Sequence, residues 1–280
     1  MIVKHSSMKK IIIPFDGGHF SEGSFFFACS LHELKPILLT GVFLPAVEYT
    51  RFLFFPTSFA APVFTAGMEH FEEEEIDMNV EHFTLLCQKN VIEHRVHKSL
   101  SNSSTPQLAK ETRFADLMVI GSETFYTNGI NIGTDVYLKD ALRNTECPVV
   151  IVPEKFNFPS DIILAYDGSA SSVFAIKQFV YLFPELCKCE AILVYVGYRT
   201  HDIPDQSLIE EFVSRHFENL TITKVISDQK NSFASWVEAH KDSLLVSGSF
   251  GRSGVSELFK RSFIIDIIKE IKMPVFIAHR

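Results

Sequence analysis

The sequence carries KKIIIPFDGG at residues 9–18 and carries it again, in the form SDIILAYDGS, at residues 160–169. Each copy is a short apolar run that ends in aspartate and glycine. Such a run, with little alternation of polar and apolar residues, is typical of a parallel strand buried on both faces, and glycine after aspartate favours a tight turn. A strand–turn unit that returns in the second half of the chain indicates that one fold is present twice.

Two further blocks recur in the same order. ADLMVIGSE (115–123) returns as KDSLLVSGS (241–249), and CPVVIVP (147–153) returns as MPVFIAH (273–279). The chain has 280 residues, so each half is long enough to be a domain of ordinary size.

The repeats predict where the domains begin and end. We expect a first domain at residues 1–153, a linker at 154–160 and a second domain at 161–280. The first domain has an extra segment rich in Phe and Pro, at about residues 46–70, before a helix that starts at Phe71. This insertion has no counterpart in the second half, and it packs as a loop, covers a pocket or forms a partner surface.

Apolar strand candidates alternate with amphipathic helix candidates in both halves. This alternation predicts an α/β fold with right-handed crossovers, made of two tandem doubly wound domains with five parallel strands each. We expect the strand order 3-2-1-4-5, in which strands one and four are neighbours. In the second half the predicted strands are IILAY, AILVYV, TITKVI, LLVSG and PVFIA.

Charge and hydropathy exclude several classes of protein. The formal net charge is -8, which argues against a non-specific binder of nucleic acid or of an anionic membrane surface. No apolar run reaches the roughly 20 residues that a membrane helix needs, and the first residues lack a signal-peptide pattern. An odd count of five cysteines suits a reducing compartment. We therefore expect a cytoplasmic protein.

The histidines and cysteines do not have the spacing of metal ligands. His94 and His97 fall in a strand-like run on opposite faces, where they do not converge on one ion. Cys187 and Cys189 are too close in sequence for the usual metal or redox motifs. We expect no metal site, and we expect the thiols to be buried or half-buried structural residues.

Four residues mark the candidate binding sites. Asp16 and Asp167 end the first strand of each half, and Gly121 and Gly248 end the fourth. In an open α/β sheet, ligands bind beyond the carboxyl ends of the strands where the strand order reverses, which is between strands one and four. The aspartates either contact a ligand or a phosphate-bridging metal ion, or close the turn that caps the next helix. These two interpretations are compatible.

The stretch after the fourth strand of the second half favours an anion. Gly248 and Gly251 frame a turn where the backbone can take positive φ and approach a ligand without a Cβ in the way. Ser262 then begins the terminal helix, whose free N–H groups favour a negative charge.

Both halves resemble the universal stress protein (UspA-like) family in a tandem arrangement. The resemblance covers nearly the whole chain and is carried by IIIPFDGG, IILAYDGS, MVIGSE, LLVSGSFGRSG and the closing CPVVIVP and MPVFIA. It implies an adenine nucleotide alpha hydrolase-like fold and self-pairing of the domains, within the chain or in a homodimer. It also implies binding of ATP or another adenine nucleotide, with Mg, in those members that carry the family's glycine motif.

Most of that motif is present in the second half. Gly248 and Gly251 match its first two glycines, Arg261 replaces its third, and Ser262 keeps the hydroxyl position. The resemblance further implies that the nucleotide-binding residues include Asp167, near the adenosine, and Val196, whose backbone meets the base.

The first half keeps a different part of the motif. Gly121 matches the first glycine, but Thr124 stands at the second. Gly133 and Thr134 lie one residue before the expected positions, and together with Asp16 they are the weaker candidates. Glycine allows a close approach that Thr124 blocks, so nucleotide binding is expected mainly in the second half.

Three functions remain open from the sequence. The first is a stress-response binding protein that holds an adenine nucleotide, and the second is an interaction scaffold with degenerate sites. The third is a weak ATPase, for which no nucleophile–base pair is present and Asp167 is the candidate to position a metal. Arg261 either binds phosphate or blocks the pocket.

Overall fold

The computed structural model describes residues 8–16, 20–44, 66–98, 104–122, 145–197, 202–226, 232–248 and 272–278. Within these ranges the chain forms ten strands and six α-helices. The strands are β1 (Lys9–Asp16), β2 (Ile37–Leu44), β3 (Glu93–Lys98), β4 (Leu117–Gly121), β5 (Val149–Val152), β6 (Asp161–Tyr166), β7 (Glu190–Gly197), β8 (Asn219–Ile226), β9 (Ser243–Gly248) and β10 (Val275–Ala278). The helices are α1 (Glu22–Leu34), α2 (Ala66–Lys89), α3 (Ser104–Arg113), α4 (Ala170–Leu182), α5 (Gln206–Val213) and α6 (Ser232–Glu238).

All ten strands belong to one sheet with the order β3-β2-β1-β4-β5-β10-β9-β6-β7-β8. Every neighbouring pair is parallel except β5 and β10, which pair antiparallel with Val150 opposite Phe276. Strands β1–β5 form one half-sheet and β6–β10 the other. Each half-sheet has the order 3-2-1-4-5, so the predicted α/β class and strand order are confirmed.

Helices cover both faces of the sheet, as in a doubly wound fold. One face packs against α1, α2, α4 and α5 through residues such as Phe27, Phe83 and Phe179, and the other packs against α3 and α6 through Leu108 and Val237. Because central strands are buried on both sides, β4, β5 and β10 are apolar at nearly every position. The outer strands β3 and β8 are half-exposed and polar, which protects the sheet edges from further pairing.

The helices after the first strand of each half start in the same way. Ser21 caps α1 by accepting a hydrogen bond from Ser24 N at 3.2 Å, and Ser169 caps α4 by accepting one from Ser172 N at 3.1 Å. A serine at this position binds an N–H group that the helix itself leaves without a partner. The repeat therefore extends beyond the strands to the caps.

Helix α2 begins earlier than the sequence predicted. It starts at Ala66, so the last five residues of the expected 46–70 insertion belong to the helix. Residues 46–65 lie outside the described part of the chain, and the role of the insertion stays a prediction.

The predicted linker packs closely on the first half. Glu154 Oε2 accepts a hydrogen bond from Gly23 N at 3.0 Å, and the ring of Phe158 lies 5.4 Å from that of Phe27. The two halves also contact each other directly, because Glu185 lies 3.7 Å from the Lys9 ammonium group and 3.8 Å from that of Lys35. Burial lowers the pKa of Lys9, an effect that the Glu185 carboxylate opposes.

Two buried threonines differ in their hydrogen bonding. The hydroxyl of Thr40, on β2, has no hydrogen-bond partner within the described residues. The hydroxyl of Thr112, on α3, donates to Ala109 O at 2.8 Å and accepts from Glu146 N at 3.1 Å. Both residues are fully buried.

We expect Thr40→Val to stabilise the protein by about 1 kcal/mol, because a buried hydroxyl without a partner is replaced by a methyl group of similar shape. The matched control Thr112→Val should destabilise it by a similar amount, because two hydrogen bonds are lost. Urea unfolding of the full chain measures both. A loss of stability in Thr40→Val would contradict the expectation.

Candidate functional site

The turn from β6 into α4 forms the floor of the candidate site in the second half. Asp167 Oδ1 accepts a hydrogen bond from Ser169 N at 2.9 Å, so the aspartate closes the turn that leads into the helix cap. Gly168 has a φ of 79°, a left-handed conformation that suits glycine. The turn-closing interpretation of Asp167 is therefore correct, and its second carboxylate oxygen makes no hydrogen bond with a described residue.

The chain after β7 folds over this turn. A Cβ placed on Gly168 would lie 2.7 Å from Pro204 Cβ, closer than side-chain atoms pack. The hydroxyl of Tyr166 donates to Pro204 O at 2.8 Å, which fixes the segment over the end of β6. Glycine at 168 thus serves both the turn conformation and the close contact.

Gly248 brings the end of β9 against the start of α4. A Cβ at this position would lie 2.6 Å from Ser171 C and 2.7 Å from Ser172 N, and both are backbone atoms that cannot move independently. The sequence predicted that Gly248 supplies positive φ, but among the described glycines only Gly168 has it. Helix α4 can pack this closely on β9 because Gly248 has no side chain.

Two tyrosines distinguish the second half from the first. Tyr166 on β6 lies opposite Tyr195 on β7, whereas the matching pair on β1 and β2 is Phe15 opposite Phe43. Burial raises the pKa of both tyrosines, and the neighbouring Asp167 carboxylate raises that of Tyr195 further. Both hydroxyls therefore stay protonated at neutral pH. The Tyr195 hydroxyl has no hydrogen-bond partner within the described residues, although the residue is only 9% exposed.

The corresponding position in the first half is filled by aromatic rings. Phe15 is stacked between Phe20, at 4.6 Å, and Phe43, at 4.8 Å, and the ring of Phe83 closes the group from the side. In addition, the Glu154 carboxylate already binds an N–H group in the first turn of α1. The first half therefore offers fewer polar groups to a ligand.

The structure describes some of the predicted site residues and leaves others outside the described part of the chain. Asp167 directly follows β6, and Gly248 is the last residue of the neighbouring parallel strand β9, so both lie at the carboxyl ends of paired strands. Val196 lies in β7, where its backbone pairs with Val225. Asp16 and Gly121 are the last residues of β1 and β4. The other residues of the two motifs lie outside the described part of the chain: Gly251, Arg261, Ser262, Gly133, Thr134 and Thr124.

Sequence reasoning missed Tyr166, Tyr195 and Pro204. The signal for Tyr166 is present in the repeat, because IIIPFD and IILAYD align Phe15 with a residue that carries a hydroxyl group. The alignment of β2 with β7 gives Tyr195 in the same way. Pro204 has no such signal, since it comes from a loop that reaches the turn only in three dimensions.

The cysteines are free thiols, and His94 and His97 make local contacts. All five cysteines are free, as the sequence predicted, and burial raises the pKa of Cys29, Cys87, Cys147 and Cys187 to about 12. His97 Nδ1 lies 2.8 Å from Glu111 Oε2, whereas His94 contacts Ile92 O. Among the described residues there is no group of three metal-ligating side chains, and no helix there is long and apolar enough to cross a membrane.

Comparison with solved structures identifies the fold. The crystal structure of a universal stress protein from Archaeoglobus fulgidus DSM 4304 superposes with a TM-score of 0.67, covering 97% of this chain and 96% of that one at 14% identity. The chain has the fold of universal stress proteins.

Two proteins of Pseudomonas aeruginosa share this fold over most of their length. A putative universal stress protein from strain UCBPP-PA14 covers 98% of this chain and 94% of its own, with a TM-score of 0.56 and 11% identity. A functionally unknown protein from strain PAO1 has the same TM-score and identity, with 98% and 93% coverage. No protein-family model matches the sequence, and no curated protein matches it.

We expect Gly248→Ala to destabilise the protein by about 1–3 kcal/mol, because the new methyl group overlaps the backbone of α4. Gly41→Ala is the matched control, since its Cβ would meet ring atoms of Phe43 and Phe83 at 2.8 and 3.1 Å. Rings can shift where backbone cannot, so this variant should cost less. Urea unfolding of both variants decides the order, and equal costs would contradict it.

Proposed function

We propose that the chain is a universal stress protein-like stress-response binding protein that belongs to the UspA-like family. The likeness in fold over the whole length supports this, together with the strand order that occurs in both half-sheets. In this proposal residues 1–153 and 161–280 are two domains that pair within the chain through β5 and β10. Residues 154–160 connect them, and the protein acts in the cytoplasm.

We further propose that the second domain binds ATP or another adenine nucleotide, with Mg. The observation that carries this proposal is the contact of Gly248 with the first turn of α4, beside the Asp167 turn. It brings the carboxyl ends of β6 and β9 together, at the point where ligands bind in open α/β sheets. The Tyr195 hydroxyl and the second Asp167 oxygen are two polar groups at this edge to which no described residue hydrogen-bonds.

Each candidate residue has a role in the proposed site. Asp167 faces the ribose or base, and the backbone of Val196 meets the base. Gly248 and Gly251 let the chain approach the phosphates, and the Ser262 hydroxyl donates a hydrogen bond to them. In the first domain the equivalents are Asp16, Gly121, Gly133 and Thr134, which bind more weakly because Phe15, Phe20 and Phe43 fill the space.

Calorimetric titration of the full chain with MgATP tests the location of the site. Ser262→Ala should lower the affinity roughly tenfold or more, because a hydrogen bond to a charged phosphate is lost. The corresponding first-domain variant, Thr134→Ala, should change it less than about twofold. Equal effects of the two substitutions, or a larger effect of Thr134→Ala, would contradict the assignment.

The variant Arg261→Gly tests whether the arginine binds phosphate. We expect weaker MgATP binding and a smaller dependence of affinity on salt, because a charge that attracts phosphate is removed. Titrations of wild type and variant at two salt concentrations measure both quantities. A gain of affinity in Arg261→Gly would mean that the arginine blocks the pocket.

The alternative function is an interaction scaffold without nucleotide. It is favoured by the observation that Asp167 and Gly248 both have structural roles, one in a turn and one in helix packing. Absence of MgATP binding to the wild-type chain would support it. Phosphate release that disappears in Asp167→Ala would instead indicate a weak ATPase.

A further inference from the structure

A cleft lies where the first half, the linker and the second half meet. It has a volume of about 570 Å³, within the usual range of small-molecule sites, and is hereafter called the lysine cleft. Helix α1 contributes Phe26, the linker contributes residues 154–157, and the second half contributes Lys241, Asp242 and Lys272. The second-half residues precede β9 and β10, so the cleft lies at the amino ends of these strands. The proposed nucleotide site lies at the opposite edge.

Positive charge is concentrated in this cleft although the whole chain carries a net charge of -8. Its three cations are Lys155, Lys241 and Lys272. Lys155 and Lys241 are exposed and form no salt bridge with any described residue. Lys272 has a φ of 54°, a backbone conformation that is uncommon for a residue other than glycine and that is often found at binding sites.

One oxygen of each acidic residue of the cleft accepts a hydrogen bond from a neighbouring group. Glu154 Oε2 accepts from Gly23 N, and Asp242 Oδ1 accepts from the Asn157 amide at 3.5 Å. These contacts hold one carboxylate against α1 and the other against the linker. Three lysines against two carboxylates leave the residues that line the cleft with a formal net charge of +1.

An aromatic wall stands beside the lysines. Phe26 is 47% exposed, and its ring meets that of Phe156 edge to face at 5.5 Å. Phe156 also contacts Phe27, so the wall is fixed to α1. An exposed aromatic ring held in place offers a stacking surface to a flat ligand.

We propose that the lysine cleft binds a small molecule that carries both a phosphate group and a flat aromatic ring. The ammonium groups of Lys155, Lys241 and Lys272 bind the phosphate, since lysine is a common phosphate ligand. The ring packs on Phe26. Because the linker and both halves line the cleft, a bound molecule contacts all three. This site is independent of the proposed nucleotide function.

The test uses 1-naphthyl phosphate as the probe and calorimetric titration of the full chain. Wild type should bind it more tightly than inorganic phosphate, which lacks the aromatic ring, or 1-naphthol, which lacks the phosphate group. The double variant Lys155→Ala/Lys241→Ala should bind the probe about tenfold more weakly. The matched control Lys89→Ala/Lys177→Ala removes two exposed lysines elsewhere and should stay within about twofold of wild type.

Two further measurements separate the parts of the proposal. Phe26→Ala should weaken binding of 1-naphthyl phosphate, and an unchanged affinity would overturn the role of the ring. MgATP itself carries phosphate groups and a flat ring, so its competition with the probe in the wild type should disappear in the double variant Lys155→Ala/Lys241→Ala. Competition by MgATP that persists in the double lysine variant would assign the probe to the nucleotide site and overturn the proposal.

The proposal also fails if wild type does not bind the probe or if the two double variants behave alike. All substituted residues are exposed, and circular dichroism with urea unfolding verifies that each variant is folded.

Discussion

The antiparallel pairing of β5 with β10 is the constraint on which the arrangement of this molecule depends. Both strands are fully buried and apolar, and their pairing turns two five-stranded half-sheets into one sheet of ten. Because the pairing is antiparallel, the carboxyl edge of one half-sheet lies beside the amino edge of the other. The candidate sites of the two halves therefore open at opposite edges of the sheet. The lysine cleft lies at the edge where the carboxyl end of β5 and the amino ends of β9 and β10 meet.

The two halves share a backbone plan but differ in the chemistry at their strand ends. Phe15 and Phe43 occupy the positions of Tyr166 and Tyr195, so a packed aromatic group replaces a surface with hydroxyl groups. Glu154 adds a carboxylate at the start of α1. The strand ends of the first half are therefore mainly apolar, whereas those of the second half carry hydroxyl groups.

Much of the fold was predictable from the sequence, because strong local patterns and a repeat pointed to the same answer. The apolar runs that end in Asp16 and Asp167 gave the first strands, and the alternation of strand and helix candidates in both halves gave the doubly wound α/β class. The start of α2 was missed by five residues, since AGMEH has no cap signal that separates it from the segment before it.

What the sequence by itself determined is the α/β class, the doubled fold and the aspartate–glycine turns, since each depends on residues close together in the chain. Only the tertiary structure decided what those residues contact. It showed that Gly248 makes room for α4, that Pro204 covers the turn at Gly168, and that three lysines distant in sequence line one cleft. The physical reason is that hydrophobic periodicity is a local property, whereas close contacts depend on how strands and loops far apart in sequence are brought together by packing.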